Sequence, residues 1–241
     1  MPRTAKAYIA LVIASGTTVL LFAAGSWSSA SLRQFAIYLG LAALASTLKI
    51  RIPGMECTMS PNFVFLLLAM TVCTFSEVVV ISLTAALVQS LWTRRKLPRL
   101  VQIAFSAASL ILSSSIAFTV SHVIATGRPA ETSIARIILA GSLYFPLNAA
   151  LVSSVISLVN GDPLNHVWRR CYDFVFPYFM GGAVFAGLIS GAYLGSVVWK
   201  GALLLLPVVI LAHLYFLSRS RRDESLAIAS AEEVCSTDLV Y

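Results

Sequence analysis

Residues Glu77–Ile124 read EVVVISLTAALVQSLWTRRKLPRLVQIAFSAASLILSSSIAFTVSHVI. Two apolar runs, 77–93 and 100–124, flank a loop that holds Arg94, Arg95, Lys96 and Arg99. A membrane helix needs about 20 mostly apolar residues, and cations gather in the short loops on the cytoplasmic side of such helices. The stretch therefore predicts two membrane helices joined by a cytoplasmic turn.

The same pattern extends in both directions. Spans are expected at 7–26, 33–50, 60–75, 77–93, 100–124, 134–159, 174–197 and 201–217, with the third and fourth almost abutting at Phe75-Ser76-Glu77. Eight spans place Arg3, Lys6, Lys49, Arg51, Arg94, Arg95, Lys96, Arg99, Arg169, Arg170, Arg219, Arg221 and Arg222 on one face. Only Arg33, Arg128, Arg136 and Lys200 fall on the other. This asymmetry puts both termini in the cytoplasm. If 60–93 were a re-entrant hairpin, the remaining loops would keep their sides, so the span count is six to eight. The expected fold is an all-α polytopic membrane bundle over 1–217, followed by a short cytoplasmic tail, 218–241, partly helical.

Composition agrees. The chain has 241 residues, of which 59% are hydrophobic and 11% charged, with a mean hydropathy of +0.88. Soluble domains carry roughly 25% charged residues. The net charge of +7 is spread over short loops rather than gathered in a patch, which argues against a nucleic-acid partner and for membrane lipid. Cys57, Cys73, Cys171 and Cys235 lack metal-ligand spacing and are read as free thiols. The run 7–24 exceeds the roughly 7–15 apolar residues of a signal-peptide core, so it is read as an uncleaved first helix. Asn160-Gly161-Asp162-Pro163 is a strong turn signal in the longest loop. Trp27, Trp92, Trp168 and Trp199 fall near expected interfaces, as an aromatic belt does.

No hydrolase elbow, phosphate-binding loop, zinc-protease motif or paired-carboxylate motif is visible, so neither catalytic residues, nor a metal site, nor a cofactor is assigned. The polar residues inside spans carry the functional reading. Gln102, Ser106, Ser109 and Ser113 recur at helical spacing on one face. Gln102, Ser106 and Ser109, with Asn62, Gln89 and Asn148, suggest a polar internal site for a small ligand, because amides inside a bundle seek partners there. A serine stripe also serves as a plain packing face, since serine hydroxyls satisfy themselves on the preceding turn. Pro146, beside Asn148, frees a backbone carbonyl and adds a kink. Gly187, Gly191 and Gly195 form a bare stripe suited either to packing within the bundle or to a homodimer seam. Glu77 is read as an acidic residue at an outer helix start with Ser76 as its cap, or as a ligand or proton site. His122 and His213 lie near opposite helix ends, and Glu56 precedes the third span.

Three stretches carry a family resemblance: Leu48-Lys49-Ile50-Arg51-Ile52-Pro53-Gly54, Ser60-Pro61-Asn62-Phe63, and Ala85-Ala86-Leu87-Val88-Gln89-Ser90-Leu91-Trp92. Together with Val101–Phe105, Asn148, Asn160–Leu164 and Trp168, and with Leu206-Pro207-Val208, Tyr215 and Arg219, they resemble bacterial membrane-associated sensor (MASE-like) modules over roughly 33–222. Such modules precede diguanylate cyclase or HD-GYP phosphodiesterase domains. The resemblance implies a non-enzymatic sensor of the bacterial inner membrane that relays through its last helix to a cytoplasmic signalling partner. The sequence runs to Tyr241, which is expected either of a membrane fragment of a longer signalling protein or of a free-standing module that signals through a partner, and the tail at 223–233 would fit a truncated signalling linker. The layout is also loosely similar to the substrate-binding S components of energy-coupling-factor transporters, which implies a ligand pocket and an ATPase partner instead.

Overall fold

The computed structural model describes residues 1–48, 50–51, 58–92, 99–125 and 129–168, together with 179, 182, 183, 186 and 187. Side chains at 50–51, 58–59 and 129–135 are outside that description. The expected seventh and eighth spans lie outside the described residues apart from those five positions, as do Gly191, Gly195, Pro207, His213 and the tail.

Among the described residues the main helices are, in order, α1 (Arg3–Gly25), α2 (Leu32–Thr47), α3 (Asn62–Val72), α4 (Phe75–Leu91), α5 (Leu100–Ile124) and α6 (Pro129–Asn160). Between α2 and α3 runs a two-residue antiparallel ladder, in which Ile50 pairs with Met59 and Arg51 with Thr58. Among the described residues three segments, Arg3–Gly25, Leu100–Ile124 and Arg136–Asn160, are long and apolar enough to cross a membrane.

Local chemistry sets the helix ends. Ser31 caps α2 by accepting from the Gln34 amide at 3.5 Å. At α4 the cap is Thr74, not the expected Ser76: the Glu77 amide donates to Thr74 Oγ1 at 3.4 Å and the Thr74 amide to Glu77 Oε2 at 2.8 Å. This reciprocal box satisfies two otherwise orphaned amides and moves the α3–α4 joint to Cys73-Thr74, two residues before the expected one. Helix α6 stops where Gly161 takes a left-handed conformation with φ of 82° and its amide closes onto the Ser157 carbonyl at 2.8 Å. The expected Asn-Gly turn is therefore present.

Helices alternate in direction, and side-chain contacts show which ends lie together. Ser26, Ser28 and Ser29 of the α1–α2 loop bond to Ser76, Thr74 and Glu77 at the α3–α4 joint. At the opposite end Asn62, opening α3, reaches Ser46 at the close of α2 and Gln89 near the close of α4. The α3–α4 hairpin thus runs the full depth of α2. Tyr8 packs against Phe105 and donates to the Leu151 carbonyl at 3.2 Å, while Phe118 meets Phe75, so α1, α5 and α6 follow the same alternation. Arg3, Lys6, Arg51 and Arg99 consequently stand at the Asn62 end, and Arg33 and Arg136 at the Glu77 end. That is the sorting the apolar-run pattern predicts.

Helix α3 is the centre. Every residue from Asn62 to Met70 is buried, sheathed by α2, α4 and α6 and by Phe179, Ala183 and Ala186. A helix apolar on all sides needs such a sheath. Phe179 stacks near Phe63, Tyr144 and Phe145 at 4.1, 6.3 and 4.4 Å between ring centres. Gly182 lies so close to Phe63 that an added Cβ would fall 2.6 Å from the ring's Cε2. The spacing 179, 182–183, 186 is one helical face. At Gly187, by contrast, an added Cβ would meet no described atom within 4 Å. Elsewhere, Gly16 brings α1 against α5 so closely that a Cβ would lie 2.6 Å from the Ala108 Cβ.

Candidate functional site

The six polar residues expected to line one pocket divide into two groups and an outlier. Asn62 and Gln89 do meet. Asn62 Nδ2 donates to Ser46 Oγ at 3.1 Å and to Gln89 Oε1 at 3.4 Å. Ser46 donates in turn to the Ala42 carbonyl at 2.7 Å, which leaves its oxygen lone pairs for Asn62. Ser60 donates to the Ala45 carbonyl at 2.8 Å, tying the entry of α3 to the exit of α2. Three helices are thereby joined by one side-chain network with the short β-ladder beside it.

Gln102 is the outlier. It is exposed, and its Oε1 accepts from the Arg99 amide at 3.2 Å. Position N3 of a helix has an unpaired amide within reach, and that local demand takes the side chain. Although it shares helical spacing with Ser106 and Ser109, it serves the helix end.

Ser106 and Ser109 lie on α5 and Asn148 on α6, the two helices with the most extensive contact of any described. Ser106 is half-buried, and Ser109 is buried with an unpaired hydroxyl. Ser113 follows the packing-face reading by donating to the Ser109 carbonyl at 2.7 Å. On α6, Asn148 Oδ1 and Ser153 Oγ are buried and unpaired. A buried polar atom without a partner costs about 1–3 kcal/mol, so α5 and α6 each hold unspent hydrogen-bonding capacity. Deeper toward the Glu77 end, the hydroxyls of Ser82 and Ser114 lie 2.8 Å apart across α4 and α5.

The Glu77 end carries a network the pocket reading did not contain. Glu77 is 1% exposed. Its Oε1 accepts from Ser29 Oγ at 2.5 Å while Oε2 serves the Thr74 amide. Thr74 Oγ1 donates to the Ser28 carbonyl at 2.7 Å and Ser76 Oγ to the Ser26 carbonyl at 3.2 Å. The carboxylate sits on the positive end of α4, where the helix dipole favours it. This is a clamp between loop and helix rather than an open acidic site. Its signal was readable, because Thr74-x-x-Glu77 is a capping-box spacing. Ser46 and Ser60 carried no signal, since single serines near helix ends are common and only tertiary packing selects these two.

Among the described residues no three of His, Cys, Asp and Glu gather as metal ligands. No known protein family, curated protein or solved structure matches the chain.

Proposed function

We propose that this chain is a non-enzymatic membrane module of eight spans, with both ends on the cytoplasmic face of a bacterial inner membrane. It binds a small polar ligand between α5 and α6 and relays occupancy through its last helix to a cytoplasmic signalling partner. The observation that carries the ligand is the pair of orphaned buried atoms, Ser109 Oγ on α5 and Asn148 Oδ1 on α6. Their unmet bonds are what a polar guest would supply. Sidedness is supported by the charge sorting, since the Asn62 end holds Arg3, Lys6, Arg51 and Arg99. Eight spans are supported by the depth of the α3–α4 hairpin, whose joint reaches the level of the α1–α2 loop.

A ligand shifts packing only if the two states bind it differently. The Ser46–Asn62–Gln89 network offers such an element, because it joins α2, α3 and α4 at the end facing the proposed partner. Native mass spectrometry of the mildly extracted protein tests the reading. A retained small molecule that is lost from Asn148→Ala and Ser109→Ala supports it, and an empty wild-type protein that also fails to shift in melting temperature across metabolite pools overturns it. Dimers in nanodiscs are expected for a relay of this kind. Tracer uptake by proteoliposomes, or co-purification of an ATPase, would replace the sensor with a carrier of the S-component type.

A further inference from the structure

Tyr8 fixes the level of the two orphaned atoms between which a ligand is placed above. Its ring lies 6.3 Å from that of Phe105 on α5, and its hydroxyl donates to the Leu151 carbonyl of α6 at 3.2 Å. Helices α5 and α6 run in opposite directions. One turn outward from these contacts therefore stand Ser109 on α5, about 6 Å along by helical rise, and Asn148 on α6, about 4.5 Å along. Each also shares a stripe with residues that pack there. Phe105, Ser109 and Leu112 recur on one side of α5, as Asn148, Leu151 and Val155 do on α6. Phe105, Leu112, Leu151 and Val155 belong to one apolar cluster with Ile9 and Val12 of α1. Ser109 and Asn148 thus stand at one level on the faces that meet.

Their chemistry narrows the class of ligand. Ser109 is 1% exposed, and its hydroxyl makes no hydrogen bond. Ser113, one turn on, donates to its own helix at 2.7 Å, the usual way a helical serine satisfies itself. The Ser109 proton is unspent by comparison. Asn148 Oδ1, buried and unpaired, can only accept. A hydroxyl group suits both, since it accepts from Ser109 and donates to Asn148.

A charge does not suit these surroundings. Along the two helices the nearest described ionic side chains are Arg99, about 15 Å from Ser109 by rise, and Arg136, about 18 Å from Asn148. Lys6 on α1 is exposed and lies on the headgroup side of Tyr8. An ion brought between α5 and α6 would lose its hydration without gaining a counter-charge.

We propose that Ser109 and Asn148 hold an uncharged ligand through a hydroxyl group, an assignment that rests on the α5–α6 ligand reading above. The pair stands near mid-depth of a hydrocarbon core about 30 Å thick. The hydroxyl belongs either to an alcohol dissolved in the bilayer, such as a diacylglycerol, or to a water-soluble polyol.

The test uses the full chain in phosphatidylcholine nanodiscs. Dioleoylglycerol, oleate and oleylamine, one neutral, one anionic and one cationic, are added in turn, and the molecules retained after mild extraction are counted by native mass spectrometry. In separate discs inositol is titrated by calorimetry. Wild type is expected to give one positive result: dioleoylglycerol retained above both ions identifies a bilayer alcohol, and saturable inositol binding identifies a free polyol. Asn148→Leu and Ser109→Ala should each weaken that binding about tenfold, as loss of one buried hydrogen bond implies. Ser109→Thr, which keeps the hydroxyl, should preserve it, and Ser113→Ala should leave it unchanged. An ion retained as well as the neutral alcohol, and lost in Asn148→Leu, sinks the hydroxyl class while the α5–α6 site stands. Binding that neither Asn148→Leu nor Ser109→Ala weakens sinks the site itself. Wild type that holds neither hydroxyl probe overturns the proposal, and the broader ligand reading then survives only through another retained molecule lost in the same variants. If Asn148→Leu does not fold, Ser109→Ala decides.

Discussion

Helices α1 and α3 are built from similar residues and live in opposite surroundings. Of the 23 residues of α1 only five are buried, and Leu11, Leu21 and Phe22 are each about two-thirds exposed. In α3 nine of eleven are buried. An apolar face of this extent is not stable against water, so the exposure of α1 is itself an argument that lipid surrounds the bundle. Helix α3 meets only protein. It has no need to match a bilayer, and at 11 residues it is about 16 Å long. The difference teaches that hydropathy identifies apolar runs without telling which solvent, lipid or protein, each run has.

The largest expected effect follows from that contrast. Phe65→Ala, at a fully buried position of α3, should cost about 3–5 kcal/mol, because the cavity is enclosed by protein on every side. Leu21→Ala on α1 should cost less than about 1 kcal/mol, since lipid fills the space. Reversible unfolding in mixed micelles measures both, and equal losses would erase the distinction between the two helices. Gly16 sharpens it from the other side. There α1 presses on protein backbone, with the Ala108 Cα only 2.7 Å from an added Cβ. Gly16→Ala should destabilise by about 1–3 kcal/mol, whereas Gly25→Ala, with open space around it, should not.

How far these surroundings were readable from sequence varies by residue. The bounds of α5 were legible, 100–124 in both readings, because Pro98 and Arg99 end the basic loop and the apolar run is unbroken. That Arg33 and Arg136 stand at one end of the bundle was legible from the alternation of apolar runs and basic loops. The α3–α4 joint was misplaced by two residues because Ser76, a plausible cap, outweighed the Thr74-to-Glu77 spacing. Asn62 and Gln89 stood out as amides in apolar runs and do bond to each other. Gln102 stood out equally, but its first-turn position turned it to the backbone, and periodicity carries no information about helix ends. That Arg136 is half-buried, with its Nε lacking a hydrogen-bond partner, was invisible, since a lone arginine marks a membrane side whatever it touches.

The two ends of the bundle invite a smaller test. At the Glu77 end the loop is bound through side chains to a helix cap, and Thr74→Ala removes both the cap and the bond to the Ser28 carbonyl. A loss of about 1 kcal/mol is expected, the usual worth of such a cap. Glu77→Ala should match or exceed it, because Ser29 and the Thr74 amide then both lose their acceptor. Hydrogen exchange should show the Ser26–Ser31 loop opening in both variants while α2 beyond Gln34 stays protected. If the loop exchanges no faster, the network does not hold it.

The smallest effect is expected midway, between Ser82 and Ser114. Their hydroxyls touch across α4 and α5, yet each also bonds within its own helix, Ser82 to the Val78 carbonyl at 2.8 Å and Ser114 to the Ile111 carbonyl at 3.0 Å. Two hydroxyl protons are shared among three contacts, so removing one serine leaves the other satisfied. Ser82→Ala and Ser114→Ala should each be mild, with a coupling near 0.6 kcal/mol in a double-mutant cycle, the average for bonds between membrane helices. A coupling several times larger would mean that this bond, rather than apolar packing, fixes the α4–α5 crossing. The division between protein-solvated and lipid-solvated helices would then need a third class, helices placed by polar contacts.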